Sequence, residues 1–91
     1  MKLPRRHDAT ITRQDFLRIL PAATGEADIR ESAGIFSGRG WSLHLTSIPP
    51  LEIGSVRLER HRVEIEFDGL TDEEQERFMQ RFTQHYQRGG G

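Results

Sequence analysis

One histidine and two glutamates are the residues whose types and spacing come nearest to a reactive site. His44 lies in the alternating segment 41–48, and Glu64 and Glu66 lie in the alternating segment 63–67. Because every second side chain of a strand shares a face, these three residues are predicted to stand on the solvent side of one sheet. An imidazole beside two carboxylates could bind a divalent metal or share a proton. A cross-strand His–Glu contact is also an ordinary solvated pair, so a small metal or acid–base site around His44 ranks third among the predicted functions. No cofactor is predicted.

Other combinations of catalytic residues are missing from the sequence. Cysteine is absent, which excludes thiolate catalysis and disulfides, and no Gly-x-Ser-x-Gly segment occurs. Thr12 and Thr71 are better explained as helix caps than as nucleophiles. The remaining histidines, His7, His61 and His85, show no metal-ligand spacing. The protein is therefore predicted not to be an enzyme.

Arginine dominates the positive charge, and a cluster of arginines would favour nucleic-acid binding. Twelve of the thirteen cations are Arg, a bias that Arg-rich codon usage also produces. The net charge is −1 and the signs are interspersed, which disfavours phosphate binding over a broad surface. A nucleic-acid-binding module is the alternative function, and it requires several cations to converge into one patch. The cations concerned are Arg5, Arg6, Arg39, Arg57, Arg60 and Arg62.

Binding of a protein partner suits the remaining features better than chemistry does. Trp41, at the start of its strand, could cover the sheet edge or anchor a partner. Three surfaces are predicted to make contact: the strand edge at 29–36, the Trp41 end of a hairpin and the loop at 60–62. The residues assigned to partner binding are Arg39, Trp41, His44, Arg60, His61 and Arg62.

The elements that position these residues begin with a helix. Thr12 offers an N-cap hydroxyl, and Pro21 is expected to end the helix near Leu20 or within Ala22-Ala23. Segment 27–36 reads as one weak strand. The segment from Trp41 forms a better strand, which Pro49-Pro50 is expected to stop.

A long apolar segment and a second helix complete the chain. Gly54-Ser55 marks a tight reversal. Segment 56–67 changes phase, since its first apolar residues have one parity and its last residues have the other. A bulge at 59–62 is the first explanation and a tight turn there is the second. Thr71 and Glu74 then form a capping box that starts the most regular helix.

These elements predict an α+β fold in the order helix, strand, strand, strand, helix, with both helices on one face of an antiparallel sheet of about three strands. Residues 1–10 are expected to be a flexible arm, residues 11–88 a single domain and residues 89–91 a flexible tail. The element order resembles that of double-stranded RNA-binding domains. The acidic start of the last helix, however, would repel phosphate.

The C-terminal residues carry a second resemblance. Arg88-Gly89-Gly90-Gly91 is similar to the Gly-Gly ends of ubiquitin-like proteins and sulfur carriers, whose slim tail enters an activating enzyme. In those folds the tail follows a strand, whereas here it follows a predicted helix. The residues themselves indicate a helix stop.

Size and composition restrict the remaining possibilities. Ninety-one residues, 34% of them hydrophobic, support one domain with a thin core. No apolar run is long enough to cross a membrane, and the lack of cysteine indicates a cytoplasmic protein. We therefore predict a small, soluble, non-enzymatic accessory module that binds a protein partner, or itself as a homodimer, through sheet edges and the exposed sheet face.

Overall fold

The computed structural model describes residues 2–89, which fold into one antiparallel sheet with two helices. The strand order across the sheet is β1-β5-β4-β3-β2, so β1 and β2 are the two edges. The α+β class and the two helices are confirmed. The sheet has five strands rather than about three, and a strand precedes the first helix. The elements are β1 (Arg6–Thr10), α1 (Arg13–Thr24), β2 (Arg30–Ser32), β3 (Ile35–Ser37), β4 (Trp41–Ile53), β5 (Val56–Phe67) and α2 (Asp72–Gly89).

The core lies between one face of the sheet and the two helices. Leu43 and Val63 are fully buried on the sheet, and Phe16 and Phe82 face them from α1 and α2. Glu66 is exposed on the opposite face, as the alternation predicts. The sheet therefore has one dry and one wet face, and the helices cover only the dry one.

Strand β1 lies in the segment that was expected to be a flexible arm. It pairs with β5 from Arg6 opposite Glu64 to Thr10 opposite Arg60. Farther toward the N-terminus, Leu3 packs against the core and its backbone N–H donates to Thr83 Oγ1 at 2.8 Å. Few apolar residues mark this segment, so only pairing with β5 orders it as a strand.

The weak strand predicted at 27–36 is two short strands joined by a turn. Ala33 and Gly34 both have positive φ, at 52° and 82°, which is the pattern of a two-residue hairpin turn. The turn moves Ile35 to the wet face, whereas Glu31 pairs with Phe36 on the side of the helices, where its carboxylate accepts from Arg13 Nη2 at 3.0 Å. The prediction failed because alanine rarely adopts positive φ and gives no turn signal.

The two long strands form a hairpin that continues beyond the prolines. Pro49 and Pro50 lie at a bulge in β4, after which pairing resumes with Leu51 opposite Leu58. The reversal at Gly54-Ser55 is confirmed. The irregularity is therefore in β4 and not at 59–62, where β5 runs without interruption.

Both helices begin at the predicted caps. Thr12 Oγ1 accepts from Asp15 N at 3.1 Å, and Thr71 and Glu74 exchange the two hydrogen bonds of a capping box. Helix α1 includes Pro21 and ends at Thr24, one residue beyond the predicted end, and Gly25 is its C-cap with a φ of 75° that suits glycine. Helix α2 includes Gly89, and the other two residues of the predicted tail, 90 and 91, lie outside the described residues.

Candidate protein-binding surface

The most unusual surface is a cluster of aliphatic side chains at the end of the β4–β5 hairpin. Leu51, Ile53, Val56 and Leu58 are 40, 60, 53 and 37% exposed. They form two cross-strand pairs, Leu51 with Leu58 and Ile53 with Val56, and therefore share one face. We call these four residues the arm patch and residues 51–58 the hairpin arm. Scattered apolar residues on a surface are ordinary, whereas a contiguous apolar group is a feature that many binding sites share.

The continuous course of β5 explains why the arm patch faces water. Val63 and Ile65 point into the core, so along an unbroken strand Val56 and Leu58 belong to the opposite face. The extra residue at Pro49-Pro50 keeps Leu51 opposite Leu58. The change of phase in the sequence thus reflects apolar side chains that stand on the wet side.

Within residues 2–89, no third strand pairs with the hairpin arm. Strand β1 pairs with β5 only at 60–64, and β3 pairs with β4 only at 35–37 against 42–44. Every residue from 51 to 59 is exposed. A ribbon of two strands is only marginally stable in water by itself, so covering its apolar face with a partner would stabilise it.

His44 lies on the wet face as predicted, directly opposite Glu64 in register. The Glu64 carboxylate is 3.6 Å from Arg6 Nε, so its nearest charged neighbour is a cation. Within residues 2–89, no group of three or more His, Cys, Asp or Glu side chains has the arrangement of a metal site. The arrangement around His44 is that of a solvated cross-strand pair.

Arg60 and Arg62 are held by a carboxylate on β1. Asp8 Oδ1 lies 3.0 Å from Arg62 Nε, and Asp8 Oδ2 lies 3.6 Å from Arg60 Nη2. The hydrogen bond from Arg62 lowers the pKa of Asp8, and the bond to Asp8 raises the pKa of Arg62. Both arginines belong to continuous β5 rather than to a loop. They are partly neutralised, which weakens their attraction for phosphate.

Trp41 and Arg39 lie at the other end of the hairpin. Trp41 is 3% exposed, and its indole Nε1 donates to Glu26 Oε2 at 2.6 Å. The second oxygen of Glu26 accepts from the backbone N–H of Arg39 at 3.0 Å. Glu26 therefore joins the turn before β4 to the end of α1, and the buried indole is not accessible to a partner in this structure.

His61 is also inside the fold, with 4% of its surface exposed. Its Nδ1 is 3.0 Å from the carbonyl oxygen of Ile11, and its Nε2 is 3.5 Å from Glu59 Oε2. The same Glu59 oxygen accepts from the backbone N–H of Arg13 at 2.8 Å. His61 and Glu59 thus join the base of the hairpin arm to the start of α1. Of the residues assigned to a partner, His44, Arg60 and Arg62 stand on the wet face, and their role stays a prediction.

A groove of about 600 Å³ runs between the free edge of β1 and the helices. Ile19 and Tyr86 form part of its apolar lining, and Leu58 of the arm patch borders it. Tyr86 donates from its hydroxyl to the carbonyl oxygen of Phe16 at 2.8 Å, and burial raises the pKa of this phenol. The groove is thus lined partly by side chains that hold the two helices together.

Sequence reasoning missed the arm patch although its signal was present. The change of parity between Val56 and Val63 led to the prediction of a bulge in β5, which the structure does not have. In an uninterrupted strand, this change of parity places aliphatic residues on both faces, which is the pattern of an exposed apolar patch.

No helix of the described residues is sufficiently long and apolar to span a membrane.

The fold and the arm patch define a small α+β domain with an exposed apolar surface. The chain belongs to the family of archaeal MoaD-like proteins, whose family model matches residues 5–91. No curated protein matches it. MoaD-like proteins are small modules of the sulfur-carrier type that generally do not catalyse reactions themselves and typically act with protein partners. Membership is compatible with an accessory role and names no particular partner.

Proposed function

We propose that this protein is a non-enzymatic accessory module that binds a protein partner through the arm patch. The observation that carries the proposal is the presence of four aliphatic side chains in cross-strand pairs on a hairpin arm whose residues 51–58 are all exposed. In a domain with so few apolar residues, their exposure indicates a face that another protein covers. A cytoplasmic location stays a prediction from the absence of cysteine.

The charge distribution also favours a protein partner over nucleic acid. On the wet face, Arg60 and Arg62 pair with Asp8, and Arg6 pairs with Glu64. The arm patch itself carries no charge. An apolar face of this kind gains free energy by excluding water and gains little from phosphate.

Site-specific photo-cross-linking tests the proposal. A photoreactive amino acid at Ile53 of the full chain in its native cell is expected to form a cross-linked species with one defined protein. The matched control is the same amino acid at Ile35, which is 43% exposed on the same sheet face but lies outside the arm patch. Equal cross-linking from both positions, or none from Ile53, would contradict the proposal.

Binding by the purified partner provides the quantitative test. We expect Ile53→Lys to weaken binding at least tenfold, because the ammonium group would be desolvated in an apolar interface. Ile35→Lys should bind like the wild type. Both variants should keep the wild-type melting temperature, since neither residue is in the core.

A carrier role for the C-terminal residues is a second candidate, and the family match through residue 91 favours it. The described part of α2 extends to Gly89, so a helix rather than a strand leads into the last two residues. Mass spectrometry of the protein isolated from its native cell tests this role. Replacement of a terminal carboxylate oxygen by sulfur would support it, and an unmodified terminus during active growth would speak against it.

A further inference from the structure

We infer that the outer edge of β1 binds an extended segment of a partner protein, which adds a strand to the sheet and places alternate apolar side chains in the groove beside β1. The edge lies outside the arm patch, so the inference goes beyond the proposed function and does not depend on it. Three features carry the inference: the backbone of β1, the lining of the groove and the direction of the charged side chains.

The backbone of β1 has hydrogen-bonding groups that β5 does not use. The backbone N–H of Ile65 donates to the carbonyl oxygen of Arg5 at 2.9 Å, so these two residues form a hydrogen-bonded pair of the antiparallel ladder. Such pairs alternate along a ladder, so every second residue of β1 turns its N–H and C=O away from β5. The residues that point outward are Arg6, Asp8 and Thr10. Donors and acceptors at two-residue spacing match the backbone of another extended chain.

The groove lies beside this edge, on the side of the helices. Its volume of about 600 Å³ is in the range of pockets that hold ligands. The ring of His7 lies 6.2 Å from that of Phe82, and Ala9 packs against the core, so both side chains point toward the helices. In an added strand, the residues opposite these two would point the same way, into the groove. Ile19 and Tyr86 form part of its apolar lining, so apolar side chains fit there.

The charged side chains of β1 leave the edge open. Charged residues commonly protect an exposed strand edge from pairing. Here, however, Arg6 Nε lies 3.6 Å from Glu64 Oε2, and Asp8 Oδ1 lies 3.0 Å from Arg62 Nε. Both contacts hold the charges toward β5 and away from the edge. The other edge strand, β2, has only three residues, and a short strand has fewer groups for pairing.

A segment of a different protein fits this edge better than the β1 strand of a second copy does. Pairing of two β1 strands would bring the second copy's own His7 and Ala9 toward the groove. These side chains already contact the core of their own domain and do not fill the groove. A partner segment can place larger apolar side chains there. We expect it to pair along the five residues of β1.

Selection from a library of random nonapeptides displayed on phage, with the full chain as the target, tests the inference. We expect the selected peptides to share apolar residues at alternate positions. In a synthetic peptide of the selected sequence, single N-methylation should abolish binding at every second position and be tolerated between them, because only alternate amides face β1. A library that yields no binder would overturn the inference, as would a peptide in which N-methylation of neighbouring residues has equal effects.

A proline at the edge tests the position of the peptide on this chain. Thr10→Pro removes an N–H that points away from β5, and proline is tolerated on edge strands, so the variant should fold. It should weaken binding of the selected peptide at least tenfold. The matched control Thr10→Val keeps the N–H and should bind like the wild type. Circular dichroism verifies the fold, and if Thr10→Pro is unfolded, the N-methylation series on the wild type decides.

Ile53→Lys separates this inference from the proposed function, because it changes the arm patch and not the β1 edge. This variant should bind the selected peptide like the wild type. Loss of peptide binding would place the peptide on the arm patch and overturn the inference. A dimer of the wild type that Thr10→Pro abolishes in sedimentation velocity would assign the edge to a second copy and would also overturn it. Cross-linking from Ile53 tests the proposed function whatever the result at the edge.

Discussion

Single charged residues in this protein mainly join neighbouring elements. Glu26 connects the end of α1 to the turn before β4, Glu59 connects the arm base to α1, and Asp8 binds two arginines of β5. The two residues that each of these contacts joins are far apart in the sequence. For that reason, the arginines proposed as a nucleic-acid patch were identified from the sequence without the carboxylate that holds two of them.

Glu74 differs from these residues because its partner, Thr71, lies only three residues away in the sequence. This contact leads to a prediction about how stability depends on pH. The backbone N–H of Thr71 donates to the Glu74 carboxylate at 2.8 Å, and this bond lowers the pKa of Glu74 below its ordinary value of 4.5. A lowered folded-state pKa stabilises the protein above the pKa of the unfolded chain. That stabilisation is lost as the pH falls from about 4.5 through the lower folded-state value.

We therefore expect Glu74→Gln to show a smaller drop in melting temperature between pH 7 and pH 3 than the wild type. Thr71→Ala, which removes the cap hydroxyl, should cost about 1 kcal/mol at pH 7. Thermal melts followed by circular dichroism measure both effects. Glu73→Gln is the control, because it changes the same helical turn without touching the capping box, and its pH response should match the wild type. An identical response of Glu74→Gln would show that the capping box does not contribute to acid stability.

At the scale of elements, local signals were reliable wherever the chemistry of the turn or cap was explicit. Both helix caps, the strand from Trp41 and the reversal at Gly54-Ser55 were predicted correctly. The β2–β3 turn was missed, because Ala33 has a φ of 52° with no residue that prefers it. The strand after Pro49-Pro50 was missed because a bulge places both prolines where the ladder is already interrupted.

The positive φ of Ala33 in the β2–β3 turn leads us to predict a stabilising substitution at this position. Ala33→Asn should raise the free energy of unfolding by up to about 1 kcal/mol, because asparagine tolerates the left-handed conformation that alanine disfavours. Urea denaturation followed by circular dichroism measures the change. Ala27→Asn, at an exposed position outside the turn, should change the stability by less than about 0.5 kcal/mol. Equal effects at the two positions would exclude relief of backbone strain as the cause.

At the scale of the whole molecule, the N-terminal residues complete both the sheet and the core. Strand β1 covers the edge of β5, and Leu3 packs against the core next to α2. A truncated chain would expose both the β5 edge and part of the core, and unpaired strand edges promote aggregation.

Removal of residues 1–10 should therefore destabilise the domain severely, by a large share of the roughly 5 kcal/mol expected for a chain of this size. Thermal melts and light scattering should show a lower melting temperature together with association. The control is Lys2→Ala, which removes only the exposed ion pair with Glu76 and should have little effect. A truncated chain that melts like the wild type would mean that β1 adds no stability.

The sequence by itself determined the α+β class, the two capped helices and the dry and wet faces of the central strands, because alternation and capping are local patterns. Only the tertiary structure showed that β1 and β2 extend the sheet, since short edge strands are ordered by their neighbours more than by their own residues. It also showed which candidate residues are accessible: Trp41 and His61 are buried, and the aliphatic residues of the hairpin arm are exposed. The pairing of β4 with β5 and the position of the bulge set those faces, and both depend on contacts between distant parts of the chain.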